Sequence, residues 1–156
     1  METLVTQFLD SENINYQIKP HRRKAFTCEE AAQERGVRLS QIVKCIVGFD
    51  PEGNIHVMLI PGDQRLKLKQ VRRVANGTKI DLVSPEALAE KFGLTVGAIS
   101  PIQFVGKARF YMDNSLDREK LVDMSSGRPD AGIKLASEDL RRILAAVRCD
   151  IILTRK

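Results

Sequence analysis

The chain has 156 residues, 25 of them basic and 20 acidic, for a net charge of +5 and a pI near 9.3. With 43% hydrophobic and 29% charged residues it has a globular composition, long enough to bury roughly two-thirds of its unfolded surface, and is read as one domain over residues 1–156. No apolar run approaches the roughly 20 residues of a membrane-spanning helix, and Met1–Asp10 carries acids without the basic start of a signal peptide, so no membrane partner and a cytoplasmic location are expected.

In chain order, Leu4, Phe8 and Leu9 share one face of a helix over residues 2–12, and Ile14, Tyr16 and Ile18 alternate as a short strand. Thr27 and Glu30 form a capping-box pattern that opens a helix closed by Gly36. Residues 42–49 are an apolar, β-branched run broken by Lys44; a turn at 50–54 leads to a second apolar run over 55–60, together a central hairpin. After Pro61-Gly62-Asp63, residues 68–75 fit a helix ending at Asn76-Gly77. A strand over 80–83 precedes a helix that begins at Ser84-Pro85 and ends at Gly93. Short strands are expected at 102–105, 108–112, 120–124 and 132–135, then a helix from Ser137 to Leu144 and a terminal strand at 151–153. Without a regular βαβ repeat, the mixture favours an α+β fold.

Cys28, Cys45 and Cys149 are odd in number and lack CxxC spacing, so a disulfide framework is not expected; His21 and His56 lie too scattered with them for a zinc site. The basic clusters Lys19–Lys24 and Arg65–Arg73 suit phosphate contact or a solvated face equally, and no aromatic residues interleave with them to stack bases. Lys44 is the residue that asks for a reason. On strand alternation it shares a face with Ile42 and Ile46, so it either snorkels to an edge or sets a fixed ammonium at a pocket floor, to bind a phosphate or polarise an ester carbonyl. The loop Gly93–Pro101, with two glycines and a proline, offers exposed backbone amides but lacks the signature of a nucleotide-binding loop. Ser125-Ser126-Gly127 follows a strand as a hydrogen-bonding turn or a plain one.

Taken in order, Ile42-Val43-Lys44, Pro61-Gly62-Asp63 before Leu66-x-Leu68-Lys69, Gly97-Ala98-Ile99-Ser100-Pro101, Asp113 before Ser115-Leu116, the turn at 125–127, Ile133-x-Leu135 and Asp139-Leu140 resemble the YbaK/prolyl-tRNA editing-domain family from Phe26 to about Leu144. The resemblance implies a compact mixed, largely antiparallel barrel-like sheet flanked by helices. It also implies a freestanding deacylase, without cofactor or metal, that hydrolyses the ester of a mischarged tRNA, notably proline tRNA carrying cysteine or alanine, with prolyl-tRNA synthetase as a further partner. It places the essential lysine at Lys44. Substrate-binding roles fall on Gly97, Ala98, Ile99, Ser100, Pro101, Ser125 and Gly127, with Phe26 and His21 beside them. Two departures bear on the amino acid removed: Cys45 follows the lysine where Thr or Asn is common, and Gly132 stands where cysteine-removing relatives often carry an acid. Cys45 as a nucleophile is the sharper alternative, although alternation turns it from the face of Lys44. A non-catalytic amino-acid or tRNA-binding module of the same fold, and a general RNA-binding domain, are the rival classes.

Overall fold

A computed structural model describes residues 1–153 as five α-helices and eight strands. The first sheet has the order β1–β7–β6, from Tyr16–Pro20, Ala131–Ala136 and Leu121–Ser125. The second has the order β4–β2–β3–β5–β8, from Asp81–Leu82, Val43–Phe49, Ile55–Pro61, Ala108–Asp113 and Val147–Cys149. Both β1–β7 and β6–β7 are antiparallel, as are β2–β3 and β2–β4, whereas β3–β5 and β5–β8 are parallel. The expected α+β, largely antiparallel arrangement is therefore present as two sheets. Among the described residues no strand ladder closes them into a barrel; one isolated bridge, Ile42 to Asp123, runs between them.

The hairpin over β2 and β3 forms the centre of the second sheet because both strands are apolar nearly throughout; Val57, Met58, Leu59 and Ile60 are completely buried. The main core gathers Val5 and Leu9 from α1 (Leu4–Ser11), Val57 and Leu59 from β3, Phe104, Met112, Met124, Ile133 and Leu140. A second cluster, with Met58, Ile60, Val71, Ile80, Tyr111 and Ile151, fills the opposite face of the same sheet, so β3 feeds one core with its odd residues and the other with its even ones.

Helix signals in the sequence are realised locally. Thr27 caps α2 (Cys28–Arg35), its hydroxyl accepting from the Glu30 amide at 3.1 Å, and Gly36 ends the helix in the left-handed region at φ +64°. Ser84 likewise caps α4 (Pro85–Phe92). The remaining helices are α3 (Leu68–Val74) and α5 (Ser137–Leu144). Two expectations need correction. Residues 101–104 are a 3-10 helix and not a strand: Ser100 caps it and Pro101 takes its first position, a start signal that outweighs four residues of β propensity. The terminal strand lies at Val147–Cys149 rather than at 151–153, where Ile152 makes only a single bridge to Leu66. The final turn of chain is instead fastened by the buried Asp113, whose Oδ1 accepts the Ile151 amide at 2.7 Å while its Oδ2 accepts the Ser115 amide at 2.9 Å.

A buried polar chain crosses the far side of the second sheet. His56 Nε2 donates to Asp50 Oδ2 at 2.9 Å, and its Nδ1 lies 2.9 Å from the Tyr111 hydroxyl. The hydrogen bond from His56, reinforced by Asn54 and the Glu52 amide, pulls the Asp50 carboxyl from its usual range down to about 2. An unfolded aspartate titrates near 4, so between the two values the unfolded chain holds more protons than the folded one, and stability falls as pH drops through that window. Thermal melting should show a midpoint that declines from about pH 4 to about pH 2, and Asp50→Asn should flatten that decline.

Candidate functional site

The start of β2 meets β6 at the Ile42–Asp123 bridge, and beside this junction opens a cleft of about 330 Å³. Its walls come from the segment before and within α2 (Phe26, Thr27, Cys28, Arg35), from β2 (Val43, Lys44, Cys45), from the Val96-Gly97 turn with Ile99, and from Met124 and Ser125 of β6. That volume sits at the low end of ligand pockets, which begin at about 300 Å³. It suits a small group.

Lys44 is half-buried, and its Nζ donates to the main-chain carbonyl of Gln64 at 2.8 Å. The carbonyl is delivered by the turn that follows β3. There the Gly62 amide donates to Ile42 O at 2.8 Å, and a Cβ on Gly62 would stand 2.8 Å from Leu39 O and 3.1 Å from Ile42 Cβ. A side chain at 62 would push the turn off β2 and take the carbonyl with it. The lysine's hydrogen-bond partner is a neutral carbonyl and not a carboxylate, although the acids Glu29 and Glu86 line the same cleft.

Gly97 closes the opposite wall. At φ +83° it is in the region that favours glycine, and a Cβ there would lie 2.4 Å from Ala25 O and 2.8 Å from Phe26 Cα. The loop is thus laid directly on the backbone before α2. Among the described residues the Gly97 amide makes no hydrogen bond, whereas the Ala98 amide is committed to Thr95 O at 2.9 Å. Of the residues singled out from the sequence, Lys44, Gly97, Ile99, Ser125 and the exposed Phe26 line the cleft together. Ser125 Oγ accepts the Gly127 amide at 3.1 Å, so Gly127, at φ +92°, shapes the turn that holds the serine and does not itself line the cleft. Ala98, Ser100 and Pro101 are buried behind it; Ser100 is the cap of the 3-10 helix, with its own amide on Gln103 Oε1 at 2.9 Å. His21 sits outside the lining and is joined to it through Arg35, whose Nε donates to His21 Nε2 at 3.4 Å.

The sequence reading passed over Arg35 and Asp123. Arg35 Nη1 meets Asp123 Oδ1 at 2.6 Å with both side chains almost fully enclosed. Burial raises the Asp123 carboxyl, and the guanidinium opposes that shift. An aspartate within the apolar strand Leu121–Met124 is the same kind of oddity as Lys44, and that signal could have found it. Cys45 lines the cleft beside Lys44 rather than turning fully away, but burial, followed by the neighbouring Cys28, pushes its thiol up to about 12. Burial also raises Cys28, with Lys44 acting in the opposite sense. Neither is poised as a thiolate. Among the described residues no group of three or more His, Cys, Asp or Glu side chains gathers as a metal site.

A family model for the aminoacyl-tRNA editing domain matches residues 22–143. The chain is 30% identical to the uncharacterised protein YwhH of Bacillus subtilis over 115 residues, 73% of this chain and 72% of that one. It is 25% identical to a putative Cys-tRNA(Pro)/Cys-tRNA(Cys) deacylase, EbsC, of Enterococcus faecalis, over 72% of this chain and 68% of that one. A proline–tRNA ligase of Thermosipho melanesiensis is 29% identical over 53% of this chain but only 14% of the ligase. Among solved structures, the hypothetical protein APE2540 superimposes with a TM-score of 0.88 at 25% identity, covering 97% of this chain and all of that one.

Two outcomes follow from this geometry. Gly97→Ala should destabilise the fold by about 2 kcal/mol in urea denaturation, since the added carbon overpacks a backbone contact in a backbone conformation that alanine resists. Cys45 should resist iodoacetamide at neutral pH in the folded protein and react once it is unfolded, as read by mass spectrometry of the alkylated peptides.

Proposed function

The chain belongs to the aminoacyl-tRNA editing-domain family, and from that premise we propose that it is a freestanding trans-editing deacylase, a single-domain cytoplasmic enzyme that hydrolyses the ester of a mischarged tRNA. The tRNA read here is that for proline, carrying a small wrong amino acid, cysteine or alanine; the named activity of EbsC and the partial match to a proline–tRNA ligase support that reading. The observation that carries it is Lys44, an ammonium held by a neutral carbonyl at the rim of a small cleft, opposite a free backbone amide at Gly97.

In this reading Lys44 binds the terminal phosphate or the ester carbonyl of the 3′ end, and the Gly97 amide donates to the oxygen that gains charge as the carbonyl is attacked. Ser125, fixed by the turn at Gly127, hydrogen-bonds the aminoacyl group, while Phe26 and Ile99 enclose its side chain. Water adds to the carbonyl carbon, the bond to the ribose oxygen breaks, and that oxygen leaves with a proton as the tRNA hydroxyl. The ester is already reactive, so orientation beside water or beside the neighbouring ribose hydroxyl supplies a large share of the acceleration. A protein nucleophile is unnecessary, and the raised thiol of Cys45 argues against one. Prolyl-tRNA synthetase is the natural partner for presenting such a substrate.

The test is deacylation of Cys- and Ala-charged proline tRNA under single turnover. Lys44→Ala should lose about 100-fold or more in rate with its melting temperature retained, and Cys45→Ser should stay within a few-fold of wild type. Full activity in Lys44→Ala would overturn the lysine's role. Binding of the charged tRNA without any turnover by the wild type would instead indicate a non-catalytic module.

A further inference from the structure

The space that a side chain at position 132 would enter is filled by one other side chain. Gly132 lies in β7, paired with Ser125 of β6 on one side and Lys19 of β1 on the other. A Cβ built on it would stand 2.4 Å from Nε, 2.5 Å from Cδ and 2.6 Å from Cζ of Arg35. The guanidinium therefore lies flat across the backbone of residue 132, in the space a side chain there would occupy. It has little freedom to give way: Nη1 is tied to Asp123, Nε reaches His21, and the side chain is 3% exposed. His21 is itself oriented, with Nδ1 donating to the Arg23 carbonyl, which leaves Nε2 as the acceptor that Arg35 meets. The carboxylate has no second hold, because Asp123 Oδ2 is buried without a hydrogen-bond partner among the described residues.

An arginine anchored in this way still borders the cleft, together with Lys44 and Ser125. Among the described residues its Nη2 makes no hydrogen bond, so a donor remains at the wall of the cleft that Ser125 also lines. Taking the proposed deacylation as its basis, we propose that Arg35 is the specificity-determining residue of the cleft. It donates to an oxygen or sulfur at the γ position of the aminoacyl side chain and so favours seryl and cysteinyl esters over apolar ones of equal size. Asp123 is a positioning residue that aims the guanidinium. A side chain with a γ heteroatom completes the donor's bonding, whereas an apolar side chain displaces water from a charged group and returns nothing.

The experiment compares proline tRNA charged with serine, cysteine, alanine or 2-aminobutyrate, the last matching serine and cysteine closely in shape while placing a methyl at γ. For the wild type, kcat/KM for the seryl and cysteinyl esters should exceed that for the 2-aminobutyryl ester by about 10-fold or more. Gly132→Ala keeps every charged group and displaces the guanidinium; Arg35→Gln and Asp123→Asn remove its charge or its anchor. Each should bring the ratio close to one by loss on the heteroatom substrates, and under Gly132→Ala the 2-aminobutyryl rate should stay within a few-fold. Melting curves identify any variant that fails to fold, and Gly132→Ala carries the test if the buried pair cannot be altered singly. A wild-type ratio near one, or a ratio unchanged in folded variants, overturns the assignment of Arg35 while leaving the deacylase reading intact. Absence of turnover on all four esters overturns that reading itself.

Discussion

Among the described residues one backbone bridge, Ile42 to Asp123, joins the two sheets over their shared core, and the cleft lies beside it. Lys44 stands two residues beyond the bridge on one sheet and Ser125 two residues beyond it on the other. The same-face spacing of a strand, two residues per repeat, then carries both side chains outward from the seam together. The segment before helix α2 and the Gly97 turn lie beside this seam, one laid on the other so tightly that no Cβ fits between Gly97 and Ala25 or Phe26. A cleft made at a junction of sheets takes its shape from main-chain packing and needs few dedicated side chains.

Charge within the seam is distributed unevenly. Arg35 is neutralised by Asp123 in a buried pair, the arrangement in which desolvation is offset by a close partner and a hydrogen bond. Lys44 receives only a carbonyl. Among the described residues the cleft thus holds one cation in a buried ion pair and one hydrogen-bonded to main chain, with the acids Glu29 and Glu86 also in its lining. This division suits a substrate with a phosphate at one end and a small side chain at the other. In the proposed reading, the chain's excess of basic residues would bear on how a charged tRNA approaches, and the seam on how its end is held.

Much of the fold was legible because its signals are local: Thr27 and Ser84 as caps, Gly36 and Gly93 as helix ends, and the apolar hairpin of residues 43–61. The 3-10 turn at Pro101 was misread as a strand because four apolar residues carry no period, and the capping serine decides the matter. Lys44 was visible as a charge in an apolar strand, and the family resemblance gave it company. Asp123, the same anomaly in another strand, and Arg35, an unremarkable arginine at a helix end, could be joined only in space, since 88 residues separate them. Ala98, Ser100 and Pro101 belong to the recognised motif but serve the loop's construction behind the cleft, a distinction that sequence order does not carry. The sheets' failure to close into one barrel is likewise a matter of register between distant strands.

The hydrogen bond from Lys44 ends on main chain, and this has a consequence for how the sequence can drift. A carboxylate partner would bind two positions into one fate, each losing its purpose if the other changed. Here residue 64 offers the lysine its main-chain carbonyl, and the constraint passes to Gly62, whose missing Cβ lets the turn lie against Leu39 and Ile42. The heritable half of the lysine's partnership is therefore a glycine that never touches it.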